Sequence, residues 1–549
     1  MSGTSANRSL LTGALLGVAT FAVYMIGSNR SFGYDAAATF ANFVATPSLW
    51  DAFAVRSVIP TIPVTQVAGN DHVLVSLLSH VIYSATGSRN EVVYRLLPAF
   101  GGGATVGLST GVLVRRFGFL AGLCAGLYIA TDPLFVDNSR DLRGYSLAAL
   151  GSVAGTVLLA GPRTRWRLVG YAVVMGLALA AHLFAAVVLL CHLTWILTRR
   201  SRAQLVELAP AWIGAALIGL AANASVLVTE LVRHGLPPPL FYPTYSRDLR
   251  GYSLAALGSV AGTVLLAGPR TRWRLVGYAV VMGLALAAHL FAAVVLLCHL
   301  TWILTRRSRA QLVELAPAWI GAALIGLAAN ASVLVTELVR HGLPPPLFYP
   351  TFPRDLLLFL LGAPVLLPVG LWLAVALLGL WVVRKEAWLW AAVGVLALVL
   401  GLLWLALQPG FLYPRFFVFL VPALGYLMAA AIARWWVLAP VVALGAAAAI
   451  VGQATDYNRD PLALPQAAAA VERIHSSGGR ACVIHSDEQV LAGYTTGFTV
   501  VTRPDQLADC DAVVVVSWGV DLGLRDEAAR EFPKLTTLDA YYPAVVLAR

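Results

Sequence analysis

Residues 10–27 read LLTGALLGVATFAVYMIG, an apolar run closed by Ser28-Asn29-Arg30 and followed at once by Phe32-Gly33-Tyr34-Asp35-Ala36-Ala37-Ala38-Thr39. A helix needs about 20 mostly apolar residues to cross a hydrocarbon core about 30 Å thick, and this run meets that length. Runs of the same kind recur from Leu10 to about Val451, each ended by an arginine cluster or a Pro/Gly loop. The whole chain agrees, with 549 residues, 59% of them hydrophobic and 12% charged, and a mean hydropathy of +0.78. Lipid, not water, is the solvent this composition suits. The first run has no small-residue cleavage site and is succeeded by further runs, so it reads as an anchor and not a secretory signal.

The formal charge of +11 does not point to nucleic acid, because the basic residues sit in short clusters between apolar runs, as the positive-inside rule requires. Lysine occurs only at Lys385 and Lys534 amid abundant arginine, alanine, glycine and valine, the usage of a GC-rich bacterial genome. Cys124, Cys191 and Cys298 fall in apolar helices as packing residues. Cys482 and Cys510 fall in the C-terminal tail, where an oxidising compartment would let them pair and a reducing one would leave two thiols.

Residues Ser139–Thr244 recur without a change as Ser246–Thr351. Solenoid repeats drift in sequence and this one has not, so it reads as a recent tandem duplication between similar edges, Arg140–Leu142 and Arg354–Leu356. Each copy carries four apolar stretches, in the first about 145–161, 168–181, 183–198 and 208–231. An even number preserves sidedness, and one copy is expected to be redundant for chemistry.

Orientation follows from arginine and lysine in short loops. With the N-terminus inside and His72–Ser88 lying along the interface, the inner loops hold 18 basic residues and the short outer loops eight; an N-terminus outside with 72–88 spanning satisfies the later loops equally well, against which stand that segment's short length and its polar start at Asn70-Asp71-His72. The fold expected is an α-helical polytopic membrane protein of about 15 spans, 11 without the duplicate, and the odd number puts the tail outside. From Asp456 strand-like runs (481–485, 498–502, 511–517, 541–547) alternate with helical ones (464–476, 526–531), the pattern of a small α/β domain. The expected units are 1–138, with the outer loop 29–94; 139–245 and 246–352, the two copies; 353–455, the last spans; and 456–549, the extracytoplasmic α/β domain.

In such a chain the polar residues at helix ends are the functional candidates. On this topology they collect on one face: Asp35 directly after the first span, Asn70-Asp71-His72 before the interfacial segment, Asp132, Asp137, Arg140, Asp141, Arg143 and Tyr145 in the next outer loop, His182 at the end of the fifth span, and Tyr413-Pro414-Arg415 late in the chain. Arginine forks match phosphate oxygens, and a carboxylate can take a proton from an attacking hydroxyl. Each residue also has a plainer reading: Asp35 as a solvated cap, His182 as a helix-pairing residue, Arg140 and Arg143 as headgroup anchors.

Read in order, these pieces resemble the polytopic glycosyltransferases of the GT-C class, in particular bacterial relatives of protein O-mannosyltransferases and aminoarabinose lipid A transferases. Asp35 resembles their first-loop acid, Asn70-Asp71-His72-Val73-Leu74 their Asn-His-Pro-Leu stretch, and Tyr94-Arg95-Leu96-Leu97-Pro98-Ala99 the start of their next span. Asn138-Ser139-Arg140-Asp141-Leu142-Arg143-Gly144-Tyr145 is the most specific match, and Pro414-Arg415-Phe416 precedes a late span. Ala36 stands where members often carry glutamate, and Val73 where they carry proline. The first departure removes a contact that a metal or the acceptor could use, so a metal is not assumed, and no other cofactor is expected.

The resemblance implies transfer of a sugar from a polyprenyl-phosphate donor to a glycan, lipid or protein acceptor on the outer face of the bacterial plasma membrane. Asp35 would be the general base; Asp71, His72, Arg140, Arg143, Tyr145, His182 and Arg415 would bind substrate. A transporter or lipid flippase would instead place charges in mid-helix or show inverted repeats. A catalytically inactive partner in envelope assembly would tolerate loss of Asp35.

Overall fold

The computed structural model describes residues 3–52, 72–199, 202–224, 271–288, 315–329, 366–384, 417–454, 462–484, 487–516, 522–538 and 545–548, with scattered positions between 258 and 313. The opening run forms α1 (Gly3–Tyr24), and its glycines explain its place. A Cβ on Gly103 would lie 2.7 Å from the carbonyl oxygen of Gly17, and one on Gly107 2.8 Å from that of Gly13. Small residues spaced four apart thus let α1 and α4 (Glu91–Phe117) touch backbone to backbone, the usual source of helix association in lipid, where apolar side chains gain nothing by leaving their solvent. Outward-facing Leu10, Leu15 and Val18 of α1 stay exposed, an arrangement suited to lipid.

After α1 come α2 (Tyr34–Thr39), which runs into a π turn at Phe40–Val44, and α3 (Val73–Thr86). At about 1.5 Å per residue, α3 is about 21 Å long, too short to cross the core, and Gly87 closes it in the left-handed conformation at φ 62°. Next are α5 (Phe119–Thr131) and α6 (Pro133–Ser139), with a 60° bend between them. Asp132 makes the bend: its Oδ1 accepts from the Phe135 N–H at 3.0 Å, and Pro133 occupies the first turn, where no N–H is needed.

The first repeat copy supplies α7 (Tyr145–Ala160), α8 (Arg165–Ala181), α9 (Ala185–Arg199) and α10 (Arg202–Ala222). The second copy, where described, packs in the same way, with α11 at Arg272–Ala288. Tyr171 hydrogen-bonds His192 Nδ1 at 3.2 Å and Tyr278 bonds His299 Nδ1 at 3.1 Å; Trp212 donates to Leu189 O at 3.0 Å and Trp319 to Leu296 O at 2.7 Å. Identical sequence in identical local surroundings makes the same unit twice. The last apolar helices described before the tail are α12 (Leu366–Val382), α13 (Leu420–Arg434) and α14 (Ala439–Ala454).

The expected 15 spans fall only partly within the described residues. Among those residues, α4 alone is long and apolar enough for a full crossing, and the bent pair α5 and α6 makes a second; seven other apolar helices run 10–17 residues.

The tail is an α/β domain with a five-stranded sheet in the order β2-β1-β3-β5-β4. Strands β1 (Ala481–Ile484), β2 (Thr499–Val501) and β3 (Ala512–Val515) are parallel, and β5 (Val545–Ala548) runs antiparallel to β3 and β4. Helices α15 (Leu464–Ser476), α16 (Glu488–Leu491) and α17 (Leu522–Glu531) complete it. The edge strand β4 (Lys534–Thr537) was not expected from sequence: all four residues are exposed, so no apolar alternation announces it. Cys482 and Cys510 form a disulfide with Cα atoms 5.9 Å apart, which settles the open alternative in favour of pairing.

This domain does not stand apart. Phe32, Ala36 and Phe40 of the first loop share one apolar cluster with Leu464, Val471, Val490 and Leu491 of the tail.

Candidate active site

The loop after α1 is drawn tight by an arginine whose role the sequence motif did not reveal. Arg95, in the first turns of α4 and 2% exposed, donates from Nη1 to Ser28 O at 2.6 Å, from Nη2 to Ser31 O at 2.7 Å and from Nε to Arg140 O at 2.9 Å. It also donates to the Arg30 carbonyl, and its guanidinium lies 5.0 Å from the centre of the Phe32 ring. A buried guanidinium requires such acceptors, since removing it from water without them is costly. The only sequence signal for it was a charge one turn inside an apolar span.

Arg140 belongs to the same clamp. Its Nε donates to Tyr24 O at 3.2 Å and its Nη2 to Ile26 O, the carbonyls that end α1. Sequence reasoning offered it as a phosphate ligand; these bonds direct it to the helix end.

Held this way, Phe32-Gly33-Tyr34 delivers Asp35 into the first turn of α2. Opposite it, Arg143 sits in the bend before α7. Arg143 Nη2 is 3.8 Å from Asp35 Oδ2, while Nη1 donates to the Asp35 carbonyl at 3.5 Å and to Thr39 Oγ1 at 3.4 Å. The side chain of Arg143 is 5% exposed and that of Asp35 22%, so the carboxylate is the more open of the two.

Behind Arg143 stand three rings. The centre of Tyr145 is 4.4 Å from that of His182 and 5.3 Å from that of His72, and the two imidazoles are 5.0 Å apart. Arg143 Cζ is 5.8 Å from the Tyr145 ring. Gly144 makes this possible: a Cβ there would come within 3.1 Å of His72 Nδ1. The backbone also sets the histidine tautomers. His72 Nδ1 lies 3.0 Å from Ala181 O, a pure acceptor, so that nitrogen carries the proton. His182 Nδ1 accepts from the Phe184 N–H at 3.1 Å, so in the neutral ring the proton is on Nε2. The two neutral rings therefore carry their protons on opposite nitrogens. Among the described residues the buried Tyr145 hydroxyl has no hydrogen-bond partner, an unusual state for a buried O–H.

The structure thus brings Asp35, His72, Arg143, Tyr145 and His182 together from α2, α3, α7 and the break between α8 and α9. Asp71 and Arg415 lie outside the described residues, as do Arg250 and His289, the second copy's counterparts of Arg143 and His182. Among the described residues no group of three His, Cys, Asp or Glu side chains is arranged to hold a metal ion.

No protein-family model and no curated protein sequence matches the chain. Solved structures do. ArnT from Cupriavidus metallidurans, in the apo state and bound to undecaprenyl phosphate, is 15% identical over 97% of both chains with a TM-score of 0.39. The Archaeoglobus fulgidus oligosaccharyltransferase, in complex with Zn and sulfate, is 12% identical over 92% of this chain and 67% of its own, with a TM-score of 0.46.

Proposed function

We propose that the chain is a membrane glycosyltransferase that moves a sugar from a polyprenyl-phosphate donor to an acceptor on the outer face of the plasma membrane. The observation that carries this reading is the pairing of Asp35 with Arg143 at 3.8 Å, the carboxylate open and the guanidinium buried. Asp35 removes the proton from the acceptor hydroxyl as its oxygen attacks the anomeric carbon. The bond from that carbon to the phosphate oxygen breaks on the opposite face, the configuration inverts, and polyprenyl phosphate leaves with the electron pair.

Arg143 holds Asp35 in place and offers the leaving phosphate a fixed positive charge that needs no reorganisation. The Tyr145 hydroxyl is a further donor for a phosphate or sugar oxygen, and His72 and His182 line the pocket beside it. A lipid-borne donor accounts for a site mounted on helix ends: the prenyl chain stays in the bilayer while the sugar sits at its surface. The Cys482–Cys510 disulfide supports an outward-facing tail, since such bonds persist in oxidising compartments.

The test is Asp35→Asn in membranes supplied with radiolabelled polyprenyl-phosphate sugars. Loss of a general base lowers turnover by about 10²–10⁴-fold, with expression and melting behaviour kept. Transfer at the unaltered rate removes Asp35 from the chemistry.

A further inference from the structure

The segment that carries Asp35 is gripped from two sides. From the membrane side come Arg95 and Arg143. From the other side comes the C-terminal domain: α16 packs against α2, and Gly493 stands over Phe40, where a Cβ would lie 3.1 Å from ring atom Cδ1. Helix α16 is tied to the sheet, because the buried Asp487 at its N-terminus accepts from the Val516 N–H at 2.9 Å through Oδ2. What presses on α2 is therefore continuous with the domain's rigid core.

Tyr494, just beyond α16, makes the polar link. Its hydroxyl donates to Glu91 Oε1 at 2.8 Å and accepts from the Phe32 N–H at 3.2 Å. One oxygen thus joins the C-terminal domain, the start of α4 and the backbone three residues before Asp35. Burial, and then the neighbouring Glu91 charge, push the Tyr494 phenol well above the usual tyrosine range, so it stays protonated and can serve both bonds at once. The Phe32 ring is already fixed by Arg95 and lies 5.6 Å from Phe40 and 6.5 Å from Tyr94. A shift of its backbone is passed through Gly33 to the first turn of α2, where the carboxylate sits.

We infer that Tyr494 is a positioning residue through which the C-terminal domain sets the aim of Asp35 at the acceptor, an inference that rests on the reading of Asp35 as the base. The domain is then part of the site's geometry and not an appended tail.

Tyr494→Phe removes one oxygen and leaves the ring in its cluster. The expected result is a fall in kcat of about tenfold, the worth of one buried hydrogen bond, with the KM for the polyprenyl-phosphate sugar kept. Amide exchange across residues 31–39, measured on the full chain without substrate, should speed up by a similar factor. Glu91→Gln, which keeps an acceptor for Tyr494, should retain most of kcat. Unchanged exchange and kcat in Tyr494→Phe would overturn the proposal, and so would a loss explained wholly by a lower Tm. Exchange is read without turnover, so faster exchange in Tyr494→Phe together with full transfer by Asp35→Asn would sink the base assignment and leave standing the hold of Tyr494 on the first loop.

Discussion

Gly144→Ala is the most demanding test of the site. Gly144 has φ −82° and ψ 0°, a conformation open to alanine, so the substitution carries no backbone penalty and its effect is steric alone. The new Cβ would collide with the Ala181 carbonyl oxygen and stand 2.7 Å from that carbonyl's carbon and 3.1 Å from His72 Nδ1, against about 3.5–4.0 Å for relaxed contact between such atoms. The end of α8 must retreat from the start of α7 by about 1 Å. That movement pulls Ala181 O away from His72 and shifts His182, the next residue, against Tyr145. Overpacking of this size costs about 1–3 kcal/mol of stability, tolerable in so large a structure. A displacement of 1 Å among catalytic groups costs about 10²-fold in rate. Transfer by purified protein in lipid should therefore fall about a hundredfold while the Tm drops only modestly. Gly251, the same residue in the second copy, is the internal control: Gly251→Ala should leave transfer unaltered. If Gly144→Ala transfers at the wild-type rate, the cluster of His72, Tyr145 and His182 plays no part in the reaction.

Two further outcomes are expected. Deleting residues 246–352 should leave transfer intact, because the groups assembled at the site come from the first copy and from the helices before it; abolished transfer in a deletion variant that still folds would move the chemistry to the second copy. Cys482→Ser with Cys510→Ser opens a loop whose ends are 28 residues apart, and loop-closure entropy makes that worth about 3–4 kcal/mol of domain stability. The double variant should melt earlier than the oxidised protein and match it under reducing agent, as read by differential scanning calorimetry.

Much of this was legible along the chain. Apolar run length along the chain gives the expectation of a membrane protein, since a helix needs about 20 apolar residues to cross the hydrocarbon core, and among the described residues α4 and the bent pair α5 and α6 reach that length. The four helices of the repeat unit, the α/β character of the tail and the collection of Asp35, His72, Arg143, Tyr145 and His182 near helix ends could likewise be read from spacing and order. Arg140 shows where such reading stops. It stands three residues before Arg143 in the same motif, yet its guanidinium binds the carbonyls that end α1, while Arg143 reaches Asp35. A linear motif contains both arginines but not the direction of either, which depends on where α1 ends in space.

The same limit hid Arg95 and Tyr494. Arg95 looks like an unexplained charge inside a span until the loop from Ser28 to Ser31 folds over it, and Tyr494 lies over 450 residues from the backbone it fixes. Composition and periodicity determined the apolar helices and the residue types available for chemistry, since these depend on neighbours a turn or two away. Tertiary structure alone decided which arginine meets the carboxylate, that two histidines present opposite tautomers, and that the C-terminal domain closes on the first loop. These are contacts between segments far apart in sequence, and no local pattern records them.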